Sequence, residues 1–145
     1  MTDADIANRI TRRRGRMLPV LGILFLAQQG IFFSGHPGFD RTVDHFKISA
    51  WLVNALVMLL VLAFGGGLFR SKAVRALVND ETTQVHRGKG YEAGFLAMFA
   101  ICIVLYFLSL YEPLGGREAI HLILSAGIAA ALVRFGMLER RADRG

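Results

Sequence analysis

The chain contains a single cysteine, Cys102. One thiol can form neither an internal disulfide nor a Cys-x-x-Cys couple, which excludes thiol–quinone oxidoreductases built on four helices. Charge is scarce as well: 19% of residues are Asp, Glu, Lys or Arg, against about 25% in ordinary soluble domains. The deficit is uneven. Charges are nearly missing from four long stretches and crowd the segments between them. A soluble domain of 145 residues cannot bury all four stretches, because too little polar chain remains to cover them. No Asp or Glu lies deep in any stretch, which argues against exchange by a membrane-buried carboxylate, the device of small multidrug-type exchangers. Ser-His-Asp arrangements, phosphate loops and paired intramembrane carboxylates are also missing, so no catalytic residue is assigned.

What is present is hydrophobic: 54% of residues are apolar. The apolar stretches cover residues 17–34, 46–69, 92–111 and 118–138, each near the roughly 20 residues that cross a bilayer as a helix. Helices are required there because backbone amides in lipid have no water to bond, and four strands are too few to close a barrel. The expected fold is all-α, an integral membrane four-helix bundle of two helical hairpins. Arg12, Arg13, Arg14 and Arg16 precede the first stretch in the manner of a signal peptide. No small-x-small cleavage site follows it, and Gln28 and Gln29 occupy the place where one belongs. The segment reads as a signal anchor.

Orientation follows from the basic residues. Of 17 Lys and Arg, fourteen fall in residues 1–16, in residues 70–91, or at the C-terminal end, where Arg134, Arg140, Arg141 and Arg144 lie. Arg41, Lys47 and Arg117 are the other three. By the positive-inside rule both termini and the middle loop are cytoplasmic. The expected organisation is a basic tail at 1–16, a membrane domain at 17–138 interrupted by a cytoplasmic helical hairpin at 70–91, and a short tail at 139–145. The inner membrane of a bacterium is the expected location, with anionic inner-leaflet lipids facing the basic segments. The net charge of +6 does not point to nucleic acid, since its basic residues flank apolar spans instead of gathering on one folded face.

Polar residues within the spans are few and lie toward the outer side: Gln28, Gln29, Asn54, Tyr106, Ser109, His121 and Ser125. His121 and Ser125 are four residues apart and share a helix face, as do Cys102, Tyr106 and Ser109. Two readings stand. These side chains line an outer polar pocket for a small ligand, a quinone, a lipid headgroup or waters, or they hydrogen-bond between helices. His121 lies one turn from the interface and within reach of Glu118, which suits an interfacial histidine. In the first outer loop His36, Asp40, Asp44 and His45 carry nitrogen and oxygen donors of the kind zinc takes, but not at a metal-site spacing. No metal and no cofactor is expected, haem included, for want of facing histidines. Gly90 and Gly94, Ala126 and Ala130, and Gly127 and Ala131 make small-xxx-small pairs suited to helix packing.

The middle loop has its own structure. Val74, Leu77 and Val78 recur at helical spacing, so the second span has a helical continuation. Asn79 and Asp80 are N-cap types and Glu81 complements a helix N-terminus, so a new helix begins there and runs into the third span. The stretch Leu77-Val78-Asn79-Asp80-Glu81-Thr82-Thr83-Gln84-Val85-His86-Arg87 resembles that of uncharacterised small four-helix bacterial inner-membrane proteins, in which an N-D-E-x-T-like segment and basic residues precede an apolar helix. The resemblance implies a cytoplasmic face that docks a partner through Asp80, Glu81 and Arg87. Two functions are expected: a non-catalytic accessory subunit of a membrane complex, bound to another membrane protein or to its own copies, or a small transporter, channel or lipid- or quinone-handling protein that uses the outer pocket.

Overall fold

The computed structural model describes residues 2–33, 41–65 and 72–144. These form five helices: α1 (Asp3–Phe33), α2 (Arg41–Phe64), α3 (Lys72–Val78), α4 (Glu81–Ser109) and α5 (Gly116–Ala142). Among the described residues there is no strand. The fold is all-α. Three helical segments, Lys47–Phe64, Glu81–Ser109 and Gly116–Ala142, are long and apolar enough to cross a membrane.

The arginine-rich segment and the apolar run that follows it are one helix. Thr2 and Asp5 start α1 with a reciprocal box: Asp5 Oδ2 accepts from the Thr2 amide at 2.9 Å and hydroxyl at 2.7 Å, and the Asp5 amide donates to Thr2 Oγ1 at 3.3 Å. Pro19 lies inside α1 without ending it. Its ring takes up the space that a side chain on Gly136 of α5 would need, Pro19 Cδ standing against the Cβ position.

α5 is the central rod. Half of its most apolar window is buried, against 11% for α2 and α4, so the latter two turn most of their surface outward. Ala129, Leu132 and Phe135 of α5 are fully enclosed by Leu18 and Phe25 of α1 and by Ala55 and Leu62 of α2. On the opposite side α4 lies against α5 through small residues, where a Cβ on Gly94 would fall 2.8 Å from the Gly127 carbonyl oxygen. A smaller cluster of Ala7, Val74 and Val78, covered by Ile6 and Ile10, packs α3 on the start of α1. Large apolar side chains such as Leu52, Val53 and Leu56 of α2 and Phe95, Leu96 and Phe99 of α4 point away from the core. Soluble monomers rarely expose apolar patches beyond a few hundred Å². Hydrocarbon is the natural solvent of such faces, and this is a membrane protein.

The helix of the second span ends earlier than its hydropathy. α2 stops at Phe64 because Gly65 turns left-handed, with φ 57°, while its amide donates to the Val61 carbonyl at 2.9 Å. The Arg14 guanidinium also lies 2.8 Å from the position a Gly65 Cβ would take. Glycine is needed there for both reasons. α3 is therefore a separate element, not a continuation of α2, and residues 66–71 of the expected span and loop lie outside the described residues.

The close α4–α5 crossing is testable. Gly94→Ala is expected to cost about 1–3 kcal/mol, because the obstructing atom is backbone and cannot swing aside. Gly88→Ala, with nothing within 4 Å of its Cβ position, is expected to stabilise α4 by about 0.5–1 kcal/mol. Thermal unfolding of both variants in detergent, followed by circular dichroism, measures the contrast.

Candidate functional site

Two polar clusters lie at opposite ends of the bundle. The first is at the end that carries both termini, and it continues apolar stripes instead of standing apart from them. Arg14 shares the buried face of α1 with Ala7, Leu18 and Phe25; Glu139 shares that of α5 with Ile128, Leu132 and Phe135; Thr83 and His86 precede Gly90 and Gly94 on α4. The side chains of Arg14 and Glu139 are only 4% and 2% exposed. Arg14 Nε donates to Glu139 Oε2 at 2.9 Å and Nη2 donates to the same oxygen. Nη2 also donates to the Thr83 hydroxyl at 2.9 Å, and Nη1 to the carbonyl of Val78, the last residue of α3, at 3.4 Å. The guanidinium carbon lies 5.2 Å from the Phe135 ring centroid, within cation–π range. His86 Nδ1 donates to the other carboxylate oxygen, Oε1, at 2.9 Å.

Asp80 completes this end. It is the N-cap of α4, its Oδ1 accepting from the Thr83 amide at 2.8 Å. Desolvation at this corner pushes its carboxyl up, but the Thr83 hydrogen bonds, aided by the charges of Arg14 and His86, outweigh that and hold it below the ordinary 3.8. Glu81 is exposed beside it. Arg87 is half-buried, and its Nη1 donates to the Ala63 carbonyl at 2.6 Å, one of the carbonyls left open by the end of α2. Arg12 and Asp143 form an outer ion pair at 3.2 Å between α1 and the α5 C-cap.

The second cluster joins α1, α2 and α5. Gln29 Nε2 donates to the Phe25 carbonyl at 2.6 Å, which leaves Gln29 Oε1 to accept from His121 Nε2. Trp51 stacks on His121, ring centroids 4.3 Å apart and planes inclined by 24°, and its Nε1 donates to Ser125 Oγ at 3.2 Å. Asn54 Nδ2 donates to Gln28 Oε1 at 2.7 Å, which ties α2 to α1 directly. Tyr106 and Ser109 stand elsewhere. Tyr106 is 66% exposed, and the Ser109 hydroxyl donates to the Tyr106 carbonyl at 2.7 Å. The buried face of α4 is that of Gly90, Gly94 and Leu105, and Cys102, Tyr106 and Ser109 lie off it. Of the seven residues read as a pocket, the structure thus joins Gln29, His121 and Ser125 through Trp51, pairs Gln28 with Asn54, and leaves Tyr106 and Ser109 apart.

Among the described residues no three His, Cys, Asp or Glu side chains cluster as metal ligands do. His36 and Asp40 and the side chains of Asp44 and His45 lie outside the described residues. Among those described, every buried side-chain nitrogen and oxygen has a hydrogen-bond partner. A lateral groove of about 380 Å³ runs between α2 and α4 over a floor of α5, walled by Leu52, Leu56, Leu59, Phe95 and Met98.

Sequence reasoning did not single out Arg14, Thr83, His86 or Glu139. Arg14 sits in a run of arginines that reads as solvated, but its helical register with Ala7, Leu18 and Phe25 was a usable signal, as was that of Glu139 with Leu132 and Phe135. Compared with known proteins, the chain matches no family model, no curated protein and no solved structure.

Two predictions follow from the charged cluster. Glu139→Gln is expected to lower stability by about 3–5 kcal/mol, since it leaves a buried guanidinium without its counter-charge. The pair Arg14→Met with Glu139→Leu is expected to regain most of that loss, and thermal unfolding in detergent compares the two. Asp80→Ala is expected to cost about 1 kcal/mol at neutral pH. A carboxyl held low in the folded state stabilises fully above its unfolded value and loses that contribution as pH falls through the folded one. The difference between wild type and Asp80→Ala therefore shrinks as pH drops below 3.8, read out as amide exchange at Thr83.

Proposed function

We propose that this chain is a four-span protein of a bacterial inner membrane that serves as a non-catalytic accessory subunit, packing against another membrane protein. The uncharged run of α1 supplies the fourth span. The excess of Lys and Arg on both termini and on the α3–α4 corner supports a cytoplasmic position for that end of the bundle. The observation that carries the accessory reading is the position of the free volume. The polar side chains of both clusters are engaged with one another, whereas the roomy groove between α2 and α4 is walled by hydrocarbon. Such a groove fits the apolar side chains of a partner helix, with Ala55, Gly94, Gly127 and Ala131 giving close access. The resemblance around Asp80 and Glu81 adds a cytoplasmic docking corner, which the buried Arg14–Glu139 pair would hold rigid beneath it. A lipid- or quinone-handling role is the second reading, supported by the Trp51–His121–Gln29 group at the opposite end.

A photo-crosslinking residue at Leu56, on the groove wall, separates the two in native membranes. The expected result is one protein adduct, with the same protein co-purifying in mild detergent and lost when Leu59→Trp fills the groove. Adducts to lipid or quinone alone would favour the second reading.

A further inference from the structure

A second cleft, distinct from the lateral groove, opens between α1 and α2 at the end carrying the termini. Its volume is about 230 Å³, and Ile10, Arg13, Arg14, Met17, Leu18 and Leu21 of α1 line it opposite Val61 and Gly65. The α1 residues recur at helical spacing, so they form one continuous wall rising about 17 Å from Ile10 to Leu21. The wall changes character along its length. Guanidinium groups mark its lower part, and Met17, Leu18, Leu21 and Val61 make the upper part hydrocarbon.

The two arginines are not equivalent. Arg14 is buried and its charge is met by Glu139. Arg13 is exposed, and among the described residues it has no carboxylate partner. The cleft therefore presents one uncompensated cation at the mouth of an apolar slot. Its volume falls below the roughly 300–1,000 Å³ of sites that enclose a whole small ligand, so it suits part of a larger one.

We propose that this cleft binds an anionic glycerophospholipid of the cytoplasmic leaflet, its phosphate on Arg13 and the first part of one acyl chain along Met17, Leu18, Leu21 and Val61. Basic pockets between spanning helices on the cytoplasmic side hold anionic headgroups in this way. A soluble anion would meet the arginine but leave the slot unfilled, and a neutral lipid would fill the slot but leave the arginine unmet. The leaflet assignment rests on the orientation proposed above; the cleft itself does not.

The test is native mass spectrometry of the full chain purified in detergent, with added phosphatidylglycerol or phosphatidylcholine. Phosphatidylglycerol is expected to be retained in preference, and Arg13→Gln to weaken retention about fivefold, as expected for one basic residue. Met17→Glu, at another exposed position on the cleft wall, is expected to weaken it at least as much by setting a carboxylate one turn from Arg13. Arg16→Gln, outside the cleft, leaves retention unchanged. The site is overturned if Arg16→Gln weakens retention as much as Arg13→Gln, if phosphatidylcholine is held equally, if inorganic phosphate displaces the lipid, or if no lipid is retained. A reporter fused before residue 1 that appears outside the membrane would instead overturn the orientation alone, since retention in detergent does not depend on it.

Discussion

The burial of Arg14 against Glu139 constrains the rest of the molecule more than any other contact. Taking each ion out of water costs several kcal/mol, and the pair recovers this only if its remaining lone pairs and protons find partners. Glu139 meets that demand with Arg14 on one oxygen and His86 on the other. Arg14 meets it with Glu139, the Thr83 hydroxyl, the Val78 carbonyl and the face of Phe135. These partners come from α1, α3, α4 and α5. Sliding any helix by one residue moves its side chains about 1.5 Å along the axis and 100° around it, which would leave a buried charge unpaired. Small residues at the α4–α5 crossing permit close approach but fix little by themselves. The ion pair supplies the register.

The opposite end is built on cheaper terms. Hydrogen bonds between helices in membranes are worth about 0.6 kcal/mol each, and the Gln29–His121, Trp51–Ser125 and Gln28–Asn54 contacts are of this kind. The bundle is thus held stiffly at the end of the termini and more loosely at the other, a gradient of cost instead of a uniform core.

The reach of the sequence follows the same division. Hydropathy and length made the all-α fold and three candidate spans legible, because a bilayer imposes its thickness on any chain that crosses it. Asp80 was legible as a cap because capping is local: it needs one side chain and an amide three residues on. The early end of α2 was not, since the sequence stays apolar from Phe64 to Phe69 and the helix ends on the left-handed backbone of Gly65. Arg14 and Glu139 lie 125 residues apart, and no local pattern announces that they meet. Tyr106 and Ser109 show the converse. Polarity and depth suggested convergence, but the face of a helix is chosen by its neighbours, and α5 selected the one bearing Gly90, Gly94 and Leu105.

α2 is the element on which both proposed occupants would act. It meets the charged cluster through the Arg87 bond to Ala63 and where the Arg14 guanidinium approaches Gly65, and it holds to α1 through Asn54 and to α5 through Trp51, Ala55 and Leu62. Open volume lies on both of its flanks, the lateral groove toward α4 and the basic cleft toward α1. An occupant of either flank adds apolar contacts to the helix that has fewest of them, whereas α1, α4 and α5 are already locked by the ion pair. Because α2 borders both cavities, an occupant that drew α2 toward α1 would widen the groove beside α4, and the two flanks would then be coupled. By linkage the effect runs in both directions. A lipid seated beneath Arg13 would alter how a partner fits along Leu56 and Leu59, and the partner would alter the lipid's hold by the same factor.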